Sequence, residues 1–242
     1  MLSTAGITMN FGKKVLFENV SLKFTPGNCY GLIGANGTGK STLLRCCLGL
    51  ILPDAGQVAL LGSDLARLSG PRRRQLRART GLVGQKHNLV PRLSVLSNVL
   101  HGAQAQRPGP RTWFHSLARA SDRTYALHCL ELVGLADLAD RRADRLSGGQ
   151  SQRVAIARAL MQRPRALFAD EPAGNLDSKS GNEIKKLLID LNKEGKTIIM
   201  VTHEPDDASI AKRLVIFKDG EIVDDSKIKS AKAIENKTEE ES

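Results

Sequence analysis

The chain has 242 residues, 41% hydrophobic and 25% charged, which fits one large domain or two modest ones and excludes a disordered or fibrous chain. With 36 Lys and Arg against 25 Asp and Glu, the net charge of +11 points to anionic partners: a nucleotide, a nucleic acid or an acidic membrane face. The cysteines Cys29, Cys46, Cys47 and Cys129 form no CxxC pair, which argues against a disulfide framework or a structural zinc site and for a reducing compartment. Residues 46–52 are among the longest apolar runs, and the N-terminus lacks a basic-then-apolar leader. The expectation is a chain that neither spans a membrane nor carries a visible secretion signal.

In chain order, residues 15–24 alternate, with Val20, Leu22 and Phe24 on one side, as in a half-buried strand. Pro26-Gly27 reads as a turn, residues 29–33 as a short buried strand, and 41–50 as a helix closed by Gly49 and Pro53. Apolar runs at 166–169 and 197–201 alternate with helical stretches, the pattern of a parallel α/β sheet. Residues 214–217 and 221–223 flank Asp219-Gly220, a hairpin signal. Residues 227–242 are polar and lack an apolar face, so a flexible tail is expected. Between Arg67 and Arg165 there are 18 Arg and a single Lys, Lys86, whereas the remainder holds two Arg and 15 Lys.

Three segments carry chemistry. Gly34-Ala35-Asn36-Gly37-Thr38-Gly39-Lys40-Ser41, followed by Thr42, matches GxxxxGK[ST] between a strand and a helix. Glycines let backbone N–H groups curl around phosphate, and the helix start adds positive potential. Lys40 is placed for the β- and γ-phosphates and Ser41 for Mg²⁺. The run 166–171 is an apolar strand ending in Asp170, a Mg²⁺ ligand through water, and Glu171, which can polarise an attacking water. Leu146-Ser147-Gly148-Gly149-Gln150 opens a helix running to about Arg163. Ser147 and Gln150 have capping-box spacing, but two glycines at a helix start also expose bare N–H groups to an anion.

With these motifs in this order, residues from about 5 to 226 resemble the ATP-binding subunit of an ABC transporter, whose signature is LSGGQ. The resemblance implies a P-loop NTPase fold, α/β with a RecA-like core, an antiparallel β subdomain and a helical subdomain at about 86–158. It implies ATP and Mg²⁺ as cofactors, a second copy of the subunit as partner, an integral membrane permease, and a cytoplasmic location on the inner membrane face. It places Gln85 in the Q-loop, contacting Mg²⁺, and Asp177, in Asn175-Leu176-Asp177, in the D-loop. It also makes His203 the switch histidine and Phe11 the aromatic that stacks on adenine, against the plainer reading of Phe11 as a core residue. Subfamily signals differ along the chain. Residues 31–44 resemble the ABC-F ATPases. Residues 82–161, with Trp113-Phe114, are similar to phosphonate-importer ATPases, and 169–177 with the hairpin to lipoprotein-release and macrolide-efflux ATPases. Together with the Arg/Lys shift, this suggests a mosaic origin. The expected function is an ATPase powering a separate permease, with a phosphonate-type importer as the finer expectation. The alternatives are a ribosome-associated factor or a nucleic-acid-handling ATPase, for which the Arg72–Arg79 cluster is the local support. No aromatics interleave there to stack on bases, so nucleic acid is the weaker expectation.

Overall fold

The computed structural model describes residues 2–12, 14–106, 116 and 118–227. Trp113-Phe114 and the tail from 228 onward lie outside that range. In chain order the elements are β1 (Leu2–Phe11), β2 (Lys14–Phe24), β3 (Cys29–Ile33), α1 (Lys40–Cys47), β4 (Ala55–Leu60), β5 (Ser63–Asp64) and α2 (Gly70–Arg77). There follow β6 (Thr80–Val83), α3 (Val95–Leu100), α4 (Ala120–Leu132), α5 (Gly148–Leu160) and β7 (Ala166–Asp170). Last come α6 (Ser178–Lys193), β8 (Thr197–Thr202), α7 (Pro205–Ala208), β9 (Arg213–Lys218) and β10 (Glu221–Lys227).

Two sheets form. The smaller has the order β2-β1-β4-β5 and is antiparallel throughout. The larger, β10-β9-β3-β8-β7-β6, is parallel except for the edge strand β10. Because side chains alternate across a strand, each central strand serves two cores. On β7, Ala166 and Phe168 pack with Phe17, Phe24 and α1 beneath the antiparallel sheet, while Leu167 and Ala169 pack with α3, α4 and α5. Ile199 and Val201 of β8 face the first core, Ile198 and Met200 the second. The run of apolar residues that a two-sided parallel strand needs is thus explained strand by strand. Among the described residues, no helix is long and apolar enough to cross a membrane.

Two helices stop earlier than their sequences suggest. α1 ends at Cys47 rather than Leu50, because Gly49 turns left-handed at φ 62° and closes the helix. The N–H of Leu50 then donates to Arg45 O and that of Gly49 to Cys46 O, the paired bonds of a Schellman stop. α5 ends at Leu160, and Arg163, at φ 49°, lies in the turn beyond it.

Candidate functional site

The loop from Gly34 to Gly39 joins β3 to α1 under tight steric constraint. A Cβ on Gly34 would lie 2.0 Å from the Phe217 carbonyl oxygen, so only glycine fits there. Gly39, the residue before α1, sits at φ 94°, a conformation other residues rarely adopt. The Thr38 hydroxyl donates to Ala35 O at 2.9 Å. Lys40, only 4% exposed, donates from Nζ to Gly34 O at 2.6 Å and Ala35 O at 2.5 Å. Burial lowers the Lys40 pKa, and the carboxylates of Glu171 and Asp170 oppose that shift. A cavity of about 260 Å³ opens here, lined by Asn36, Gly37, Gly39, Lys40, Ser41 and Thr42, with Leu16 and Glu171 completing the wall.

Glu171 stands where three neighbouring strands end. Its N–H donates to Val201 O at 2.8 Å, extending the β7–β8 ladder, and its own φ is 49°. Gln85, two residues beyond β6, donates from Nε2 to Glu171 Oε2 at 2.8 Å. His203, directly after β8, pairs through Nδ1 with Glu171 Oε1 at 3.1 Å. Both carboxylate oxygens are therefore held, one from each flanking strand. Beside it, Ser41 Oγ donates to Asp170 Oδ1 at 2.8 Å. Burial raises the Asp170 pKa; the Ser41 hydrogen bond opposes this, and neighbouring Glu171 adds to it. A hydroxyl and a carboxylate facing each other offer hard oxygen donors of the kind Mg²⁺ takes alongside phosphates.

The glycine-rich start of α5 forms a separate corner. Ser147 Oγ accepts from Gln150 N at 3.2 Å, and Gln150 Oε1 accepts from Ser147 N at 3.0 Å, so the capping box is real. Ser147 and Gly148 are nonetheless exposed. Gly149 is buried against α6: a Cβ there would meet Ser180 Oγ at 2.8 Å. Asp177 caps α6, accepting from Ser180 N at 3.1 Å, and this backbone bond lowers its pKa. None of Ser147, Gly148, Gly149, Gln150 or Asp177 lines the P-loop cavity. Phe11 is 77% exposed at the end of β1, which overturns the core reading, and it does not line the cavity either. Leu16 does, and no motif pointed to it: its place follows from β2 passing behind Gly39, whose Cβ would sit 3.1 Å from Leu16 O.

Residues 17–174 match the family model described as ABC transporter. The chain belongs to the ABC transporter family. It is one of that family's ATP-binding subunits and an ATPase. It is 41% identical over 227 residues to the phosphonates import ATP-binding protein PhnC of Bradyrhizobium diazoefficiens, covering 93% of this chain and 84% of that one. It is 44% identical over 217 residues to the macrolide export ATP-binding/permease protein MacB of Chlorobaculum tepidum, covering 89% of this chain but only 32% of that longer protein. Among solved structures it resembles the ATP-binding cassette MJ0796, captured as a post-hydrolysis dimer with ADP and Pi, at TM-score 0.83 and 33% identity. That match covers 95% of this chain and all of the other. It also resembles cbiO1 of Clostridium perfringens, part of the cbiONQ complex, at TM-score 0.82 and 28% identity, covering 98% of this chain and 91% of that one. The alternative of a ribosome-associated factor finds no support among these relatives.

Proposed function

We propose that this subunit powers a separate membrane permease from the inner face of a membrane, and that residues 1–226 form its ATPase domain with a helical subdomain at 86–158. Two copies meet head to tail, each giving its P-loop to one ATP and its Ser147-to-Gln150 helix start to the other. Lys40 and the loop from Gly34 to Gly39 hold the triphosphate, and Gly148 and Gly149 present N–H groups to it from the partner side, beside the exposed Ser147 hydroxyl. Ser41 and Asp170, with Gln85 nearby, are the residues to hold Mg²⁺, which when bound neutralises charge on the β- and γ-phosphates. Glu171 orients the attacking water and takes its proton, while Gln85 and His203 fix the carboxylate at its two oxygens. Asp177 sets the start of α6 against the partner, and Phe11 lies open to solvent for a base to stack on. The importer-type resemblance of residues 82–161 and the PhnC relatives favour import of a phosphonate-like oxyanion.

The observation that carries this reading is Glu171: a carboxylate gripped by side chains from both flanking strands on the wall of the P-loop cavity. Glu171→Gln keeps size and hydrogen bonding while removing the base. MgATP binding is expected to survive, turnover to fall by roughly 10²–10⁴-fold, and an ATP-bound dimer to accumulate in gel filtration. Near-normal hydrolysis with no ATP-dependent dimer would refute both the role and the shared site.

A further inference from the structure

We infer that Arg158, on the signature helix, is a positioning residue for hydrolysis: it holds the loop that carries Gln85, and through Gln85 sets the catalytic carboxylate. The inference rests on the assignment of Glu171 and Gln85 given above. Arg158 stands in the last turn of α5, yet its guanidinium leaves the helix and reaches the loop beyond β6. One nitrogen, Nη1, donates to Asn88 O at 2.7 Å and the other, Nη2, to His87 O at 2.6 Å. Two bonds from separate nitrogens to successive carbonyls suit a planar fork, which arginine has and lysine lacks. Among the described residues no carboxylate pairs with it, and burial lowers its pKa. A charge so placed is held by the loop carbonyls, and the loop by it.

The same loop is fastened a second time. Asn98, fully buried on α3, accepts from Val90 N at 2.7 Å and donates to Val90 O at 3.1 Å. Residues 87, 88 and 90 are thus fixed to α5 and α3, and these two helices are locked together. A Cβ on Gly102, just after α3, would lie 2.1 Å from the Arg158 carbonyl oxygen. Gln85 precedes His87 by two residues, a span of at most ~7 Å of chain. So short a link cannot absorb a shift of α5 without moving Gln85 against Glu171. Ser147 begins the same helix eleven residues earlier, about 16 Å along a rigid rod. Engagement of the helix start is therefore transmitted to Gln85, and Arg158 is the joint.

The test is a double-mutant cycle on the full chain. Arg158→Lys and Arg158→Gln are each combined with Gln85→Ala, with melting temperatures recorded and the Gln variant used if the Lys variant melts below the assay temperature. Each Arg158 variant is expected to lose roughly tenfold to a hundredfold in kcat, with ATP Kd changed no more than about twofold. Because Arg158 acts through Gln85, the double variants should be no slower than the slower single variant. Unchanged kcat in the folded Arg158 variants, losses that multiply in the double variants, or a weakened Kd with kcat kept would each overturn the inference. If Gln85→Ala and Glu171→Gln themselves leave kcat intact, the site assignment falls first and the inference with it; if only the cycle fails, the inference alone falls.

Discussion

At the residue scale, Lys40 shows how the site holds charge in tension. Its ammonium is buried against the carbonyls of Gly34 and Ala35, and burial lowers its pKa despite Glu171 and Asp170. A lysine whose folded pKa is depressed adds stability only above its ordinary pKa and loses it as pH falls through the folded value, so at neutral pH the charged form is a cost to the fold. Lys40→Met is therefore expected to weaken MgATP binding roughly tenfold to a hundredfold, the loss of a charge-assisted bond. The nucleotide-free melting temperature should hold or rise. Calorimetric titration and a thermal melt check both, and unchanged affinity would remove Lys40 from the phosphate site. Asp170 is the mirror case. Its pKa is raised, chiefly by burial, so its contribution to stability is present at acid pH and lost as pH rises through the folded value. For hydrolysis the same shift makes Asp170 protonate before an ordinary carboxylate on acidification. The acid limb of kcat/KM should lie above the usual carboxylate range, and a profile flat down through that range would contradict it. The P-loop residues were legible because their spacing is local. The grip of Gln85 and His203 on Glu171 was not, since the three are far apart in sequence and meet only because β6, β7 and β8 are neighbours in the sheet; family resemblance, not spacing, pointed to them.

At the element scale, the strands that alternate or run apolar were readable, and those that do not were missed for identifiable reasons. β1 breaks its alternation at register shifts between Thr4 and Asn10, with Gly6 at φ 55°. β6 has four residues, too few for a period. All six residues of α3 are buried, Ser97 and Asn98 included, so the helix shows no apolar stripe. α5 was legible through its cap, but its packing was not: Gly149 lies against Ser180, the third residue of α6. Gly149→Ala would bring a methyl group to 2.8 Å from Ser180 Oγ and 2.9 Å from its Cβ, which cannot swing away. The cost expected for such overpacking is about 1–3 kcal/mol, read as a lower denaturant midpoint at unchanged slope. Gly148→Ala meets only a flexible methyl of Leu176 at 3.3 Å and should cost less. Equal destabilisation by the two would mean that the α5–α6 contact does not set the helix start.

At the scale of the whole molecule, the proposed head-to-tail pairing splits the chemistry between two surfaces. The P-loop cavity sits where β3, β7 and β8 end, whereas Ser147 and Gly148 are exposed at a corner that contributes nothing to it. The Arg-rich stretch, 67 to 165, takes in α2, the edge strand β6 and α3 to α5, ending just before β7. A site divided in this way makes a prediction that no single variant can. Ser147→Arg should leave ATP binding to one chain intact and abolish hydrolysis, because the cation blocks the partner's phosphate. Lys40→Met should abolish hydrolysis through the other half. In a head-to-tail dimer of one chain of each kind, the Lys40→Met chain still offers a sound signature helix and the Ser147→Arg chain a sound P-loop, so one of the two composite sites is whole. Random pairing makes half of the dimers mixed, so an equimolar mixture should recover up to about a quarter of wild-type turnover, with each variant alone near zero. If one chain held its whole site, neither variant could repair the other. A mixture as inactive as its components, under conditions where the wild type dimerises with ATP, would therefore exclude a shared site in which one intact half suffices.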